Sequence, residues 1–129
     1  MSLNVNVEKR QEGVYAVMPE GHLDSTTSLN FEEEVTPLFA AATKVLIFDL
    51  SKLDFISSAG VRVVFMAQKA LSKHNGVFMM TGLKPQIKKV FEIINALPSL
   101  RVFKNIEEAD EYLYAMQEKE IVKQMDPAP

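Results

Sequence analysis

The opening residues alternate, apolar Leu3, Val5 and Val7 interleaved with polar Asn4, Asn6 and Glu8, which is the period of a half-buried strand. A turn at Gln11-Glu12-Gly13 and an apolar run from Val14 to Met18 complete a predicted β-hairpin, and Pro19 to Asp24 reads as the loop that leaves it. Ser25, Thr26, Thr27 and Ser28 offer helix caps, after which Phe31, Val35, Leu38 and Ala42 fall at helical spacing. Pro37 lies well inside that pattern, where its missing N–H and ring clash predict a break near Glu33 to Thr36. Val45 to Leu50 is an almost unbroken apolar run, as expected of a strand covered on both faces. A loop over Lys52 to Ser57 then leads into a helix from Ser58 to Lys73, whose core stripe is Val63, Met66, Ala67, Ala70 and Leu71. His74-Asn75-Gly76 ends that helix, with His74 read as a surface residue. Val77 to Met80 forms another buried strand, and Pro85 opens a third helix through Ile87, Val90, Phe91 and Ile94. Arg101 to Phe103 is a last short strand. Asn105 then caps a helix that turns Ala109, Tyr112, Leu113 and Met116 inward.

The order β-β-α-β-α-β-α-β-α predicts a single α/β domain with a mixed, mostly parallel sheet, an opening hairpin and about four helices. The domain is expected over residues 1–121, with 122–129 as a frayed tail that carries no apolar stripe. The N-terminus lacks the apolar centre of a signal peptide, and no run approaches the length of a membrane span. A cytoplasmic protein without membrane contact is the expectation.

Composition narrows the chemistry. The 129 residues hold 47% hydrophobic and 24% charged side chains, enough for one core and too balanced for disorder or a collagen-like repeat. There are no cysteines and two histidines, which removes thiolate chemistry and makes a protein-only metal cage a poor expectation. A net charge of −3 gives no electrostatic footprint for nucleic acid. The five glycines are scattered one per loop or turn, so no phosphate-cradling loop and no nucleotide cofactor are expected.

One stretch carries most of the functional signal: Asp49-Leu50-Ser51-Lys52-Leu53-Asp54-Phe55-Ile56-Ser57-Ser58-Ala59-Gly60-Val61-Arg62. A buried strand runs into a loop that delivers two serines to a helix start, where free N–H groups and the helix dipole favour negative charge. A phosphate on Ser58 would be tolerated there, and Gly60 adds no side chain beside it. The plainer alternative is that Ser57 or Ser58 is a helix cap. On a helical wheel Val61 and Phe65 fall nearly opposite the Val63/Ala67 stripe, so they are expected either to meet a partner protein or to lie beneath a neighbouring segment. Two further alternatives use the same residues. Ser58, His22 and Asp24 have the residue types of a hydrolytic triad but lack the Gly-x-Ser-x-Gly elbow. Asp49 and Lys84 suggest a phospho-acceptor receiver, but the acid cluster that such domains use to hold magnesium is missing at the opening strands.

The stretch Asp49 to Arg62, with Gly21-His22-Leu23-Asp24 upstream and Lys84-Pro85 and Val90-Phe91 downstream, resembles the STAS domain of bacterial anti-sigma-factor antagonists. The resemblance spans roughly Leu3 to Leu113. It implies a binding switch without enzymatic activity of its own, and it implies that Ser58 is the phosphorylated residue. Its partners would be an anti-sigma factor that is also a serine kinase and a PP2C-type phosphatase, with no cofactor. The unphosphorylated form would bind the anti-sigma factor and so release the sigma factor. The implied partner surface comprises Gly21, His22, Asp24, Ser57, Ala59, Gly60, Val61, Arg62 and Phe65. Here the switch reads Ser57-Ser58-Ala59-Gly60, where the best-known members have Asp-Ser-Ser-Gly or Asp-Ser-Thr-Gly. A STAS scaffold or sensor that binds irrespective of phosphorylation is the second function compatible with the resemblance.

Overall fold

A computed structural model describes residues 3–125, with side chains described through Met116. The opening alternation forms β1 (Leu3–Gln11), paired antiparallel with β2 (Val14–Leu23). Then follow α1 (Ser28–Val35), β3 (Val45–Asp49), β4 (Leu53–Ile56), α2 (Ser58–Lys73), β5 (Val77–Thr81), α3 (Pro85–Ile93), β6 (Arg101–Phe103) and α4 (Ile106–Met125). The expected α/β domain is therefore present, with four α-helices and a six-stranded mixed sheet among the described residues. α4 continues to Met125, past the boundary expected after residue 121. Residues 126–129 of the expected tail lie outside the described residues.

Strand order is β1-β2-β3-β5-β6, and every pair after the hairpin is parallel. β3 is the middle strand. Its Leu46 and Phe48 enter a core shared with α1, α2 and α3, while Val45 and Ile47 enter a second core beneath Ala109 and Leu113 of α4. Burial on both faces is why this strand reads as a continuous apolar run. Phe48 meets Phe31 and Phe78 edge-on, with ring centroids 5.6 and 5.0 Å apart, the arrangement aromatic quadrupoles favour.

Two expected loops are strand. β2 does not stop at Met18 but runs to Leu23, and β4 lies within the Lys52 to Ser57 segment. The two explain each other: β2 pairs with β3 over Val14–Val17 and then with β4 over Gly21–Leu23. β4 hides from pattern reading because Leu53 and Ile56 are buried while Asp54 and Phe55 between them are exposed, so it has no period of two. Gly21 sits where the β2–β4 register slips, at φ +113°, a conformation side-chain-bearing residues rarely adopt. The helix with the proline breaks near its expected position: α1 ends at Val35 and a 3-10 turn takes Thr36–Phe39, leaving Ala42 beyond the stripe. His74 is half-buried rather than a free surface residue, its Nε2 lying 2.9 Å from the Thr43 carbonyl oxygen.

Candidate functional site

The extended β2 carries Gly21 to Asp24 alongside β4, and β4 feeds directly into α2. Backbone bonds close the junction, with the Ser57 N–H donating to the Leu23 carbonyl at 2.9 Å and the Val61 N–H to the Ser57 carbonyl at 2.9 Å. Gly60 is buried in this corner. A Cβ placed there would come within 2.7 Å of Leu23 Cγ, 2.8 Å of Ile56 Cγ1 and 3.0 Å of the Leu23 carbonyl oxygen. The expectation that Gly60 keeps Ser58 approachable is therefore corrected: glycine is needed because the helix start is packed against the ends of two strands.

Ser57 occupies the cap position with the extended backbone of a cap, φ −98° and ψ 175°, yet its side chain makes no capping bond. Its Oγ is buried without a partner. Ser58 is the first helical residue and is exposed, Ala59 is half-buried, and Arg62 is exposed one turn further on. Val61 is only 6% exposed and belongs to the main core, so it offers nothing for a partner to grip. Phe65 is half-buried and packs against the same core. On the face opposite the Val63/Ala67 stripe, Gln68 donates its amide to the Ser99 carbonyl of the Leu97–Ser99 turn, and Phe65 and Leu97 both pack against the main core.

Around Ser58 the exposed chemistry comes from neighbouring elements. Phe55 is 46% exposed, and its ring lies against the His22 imidazole, centroids 5.9 Å apart. Beside it Asp54 receives Lys84 Nζ at 2.5 Å. That hydrogen bond and charge, with a smaller contribution from nearby His22, hold the Asp54 carboxyl below its ordinary range. Phe55 and Asp54 escaped sequence reasoning because their segment read as loop. Arg62 reaches sideways to α1, its Nη2 lying 3.1 Å from Glu32 Oε1.

Asp24 serves the entry to α1. Its Oδ1 accepts from the Thr26 N–H at 2.9 Å, the Thr26 hydroxyl at 2.7 Å and the Thr27 N–H at 3.1 Å. The Thr26 hydroxyl bond leads the causes that lower its pKa. With Asp24 turned to these donors and His22 packed on Phe55, the triad arrangement is not assembled. The receiver arrangement is not assembled either: Lys84 pairs with Asp54, Asp49 Oδ1 accepts from the Ser51 N–H at 3.1 Å, and the chain opens with an antiparallel hairpin.

The family model of the STAS domain matches residues 5–109. This chain belongs to the STAS domain family. Among STAS relatives, a putative anti-sigma factor antagonist, BtrV, from Bordetella bronchiseptica is 33% identical over 82 residues, covering 64% of this chain and 71% of that one. An anti-sigma factor antagonist from Mycobacterium paratuberculosis superposes with a TM-score of 0.77 at 22% identity, covering 86% of this chain and 93% of the other. SpoIIAA in its unphosphorylated form gives a TM-score of 0.76 at 19% identity, over 87% of this chain and 97% of that chain. The phosphorylated form of Bacillus SpoIIAA gives 0.68 at 19%, over 84% and 99%. These solved structures establish the shared STAS fold. Among the described residues no helix is long and apolar enough to cross a membrane.

Proposed function

We propose that this STAS domain is a cytoplasmic anti-sigma factor antagonist switched at Ser58. Its unphosphorylated form binds an anti-sigma factor that is also a serine kinase, which frees the sigma factor. Phosphorylation of Ser58 blocks that binding, and a PP2C-type phosphatase restores it. The observation that carries the proposal is the exposure of Ser58 at the first residue of α2, beside a helix start whose cap side chain is unengaged. A dianionic group fits there without displacing a buried contact, and it brings about −1.5 to −2 charges onto the surface around Phe55, His22 and Arg62. That charge opposes an apolar or acidic partner directly, so no refolding is needed. The names of the Bordetella and Mycobacterium relatives point the same way. The domain supplies no catalytic group: it presents one hydroxyl, while kinase and phosphatase perform the chemistry.

The partner surface is accordingly His22, Asp24, Ser58, Ala59 and Arg62 with Phe55 added, and Gly21, Ser57 and Gly60 shape it from behind. Val61 and Phe65 support it from within. The deciding experiment is incubation with ATP and the candidate kinase, followed by mass-spectrometric mapping and a binding assay on each form. Phosphate on Ser58 and loss of binding are expected. Modification of Ser57, or no modification, overturns the assignment, and binding indifferent to the phosphate turns the domain into a phosphorylation-independent STAS scaffold.

A further inference from the structure

Ser58 and Arg62 stand one turn apart on α2, both exposed, at the spacing that brings helical side chains together. Helical side chains also lean toward the N-terminus, so the natural direction of Arg62 is back over Ser58. In the unmodified protein it is drawn elsewhere. Its Nη2 lies 3.1 Å from Glu32 Oε1 on α1, and its Nη1 lies 3.3 Å from Met66 Sδ one turn further along. The ion pair joins one nitrogen to one oxygen, and the Arg62 side chain is 58% exposed against 25% for Glu32. Single-point pairs of that exposure are weak. Lys84, at the entry to α3, is engaged by Asp54.

Building on the Ser58 switch proposed above, we propose that Arg62 is the intramolecular receptor of the Ser58 phosphate and leaves Glu32 to bind it. A guanidinium can hold a phosphate through two parallel N–H bonds, shorter and stronger than its single contact with a carboxylate. The phosphate also gains the positive end of α2, which Glu32 on the neighbouring helix does not. The exchange makes the phosphorylated state different in two places. At Ser58 the new charge is partly neutralised within the chain, and at α1 Glu32 loses its cation together with the side-chain tie between α1 and α2. A glutamate at position 58 carries one charge on a shorter arm, so it imitates this state incompletely.

The test installs phosphoserine at position 58 during synthesis, with no kinase involved, and follows the second phosphate ionisation by phosphorus NMR. With Arg62 present the midpoint is expected roughly half a pH unit lower than in Arg62→Gln, the direction a neighbouring cation imposes on a dianion. Arg62→Lys, which keeps the charge and loses the fork, is expected between them. Glu32→Gln should lower the midpoint further, and by more when Arg62 is present than in the Arg62→Gln background, because part of its effect runs through the released guanidinium. Equal midpoints with and without Arg62 overturn the receptor role. An equal effect of Glu32→Gln in both backgrounds overturns the exchange. A kinase that ignores Ser58 would sink the functional reading while leaving this titration intact, so the two failures are separable.

Discussion

Two helices of this domain start from similar polar residues and are held in opposite ways. At α4, Asn105 Oδ1 accepts from the Glu108 N–H at 2.9 Å, Glu108 reaches back to the Lys104 N–H at 3.3 Å, and Glu107 and Glu108 both sit in the first turn. That is local side-chain capping, with acids placed where the helix dipole favours them. At α2 the cap residue Ser57 makes no side-chain bond, and the first turn has no acid. α2 is held instead by tertiary packing, with Gly60 pressed against Leu23 and Ile56 and the backbone of Ser57 bonded to Leu23. Locking a helix start from behind leaves its front open, and the positive end of α2 stays available for an anion that α4 has already supplied from its own sequence.

The strongest way to break this contrast is Gly60→Ala. In a helix interior with free space the change would stabilise by up to about 1 kcal/mol. Here the added Cβ meets a carbonyl oxygen and two core side chains at 3.0 Å or less, so a loss of about 2 kcal/mol is expected from overpacking. The sign of the change, read from urea unfolding, decides between the two. A variant as stable as the parent would mean that packing does not hold α2.

A smaller effect sharpens the same point. Asn105→Ala should cost about 1 kcal/mol, the ordinary value of a working cap. Ser57→Ala should cost nothing measurable or stabilise slightly, because it removes a buried hydroxyl that has no partner. Thermal unfolding of the pair gives the comparison directly, and equal losses would show that the Ser57 hydroxyl is capping α2 after all.

The same contrast explains what the sequence revealed. α2 and β6 were legible to the residue, and α4 at its capped start, because periodicity, turns and caps are local signals. Ser58 was legible for the same reason, as a hydroxyl at a helix start. β4 and the last five residues of β2 were not, since the end of β2 is strand through pairing with β1 over Pro19–Gly21 and with β4 over Gly21–Leu23, and β4 is strand through β2. Val61 was misplaced because a helical wheel assumes one narrow covered face, whereas Val61 is buried in the main core together with Val63 and Val64 of the same helix. The silence of Ser57 and the clash behind Gly60 are equally products of tertiary packing. Local signals found Ser58 at the helix start, and only the fold could say what holds that start in place.

The smallest effect concerns charge beside the α2 start. Asp54 lies on β4 and is paired with Lys84 at the entry to α3, and that contact depresses its pKa below the ordinary 3.8. A carboxylate whose folded pKa is depressed contributes stability that is fully present above its unfolded value and is lost as pH falls through its folded value. Lys84→Gln should therefore move the Asp54 titration, followed by carboxyl NMR, upward toward 3.8. It should also narrow the stability gap between parent and variant only as the pH drops below about 4. Because both side chains are solvent-accessible, added salt should shrink the effect further. A midpoint that stays depressed without Lys84 would assign the shift to His22, the other cationic neighbour, and would place positive potential closer to Phe55 and Ser58 than the ion pair does.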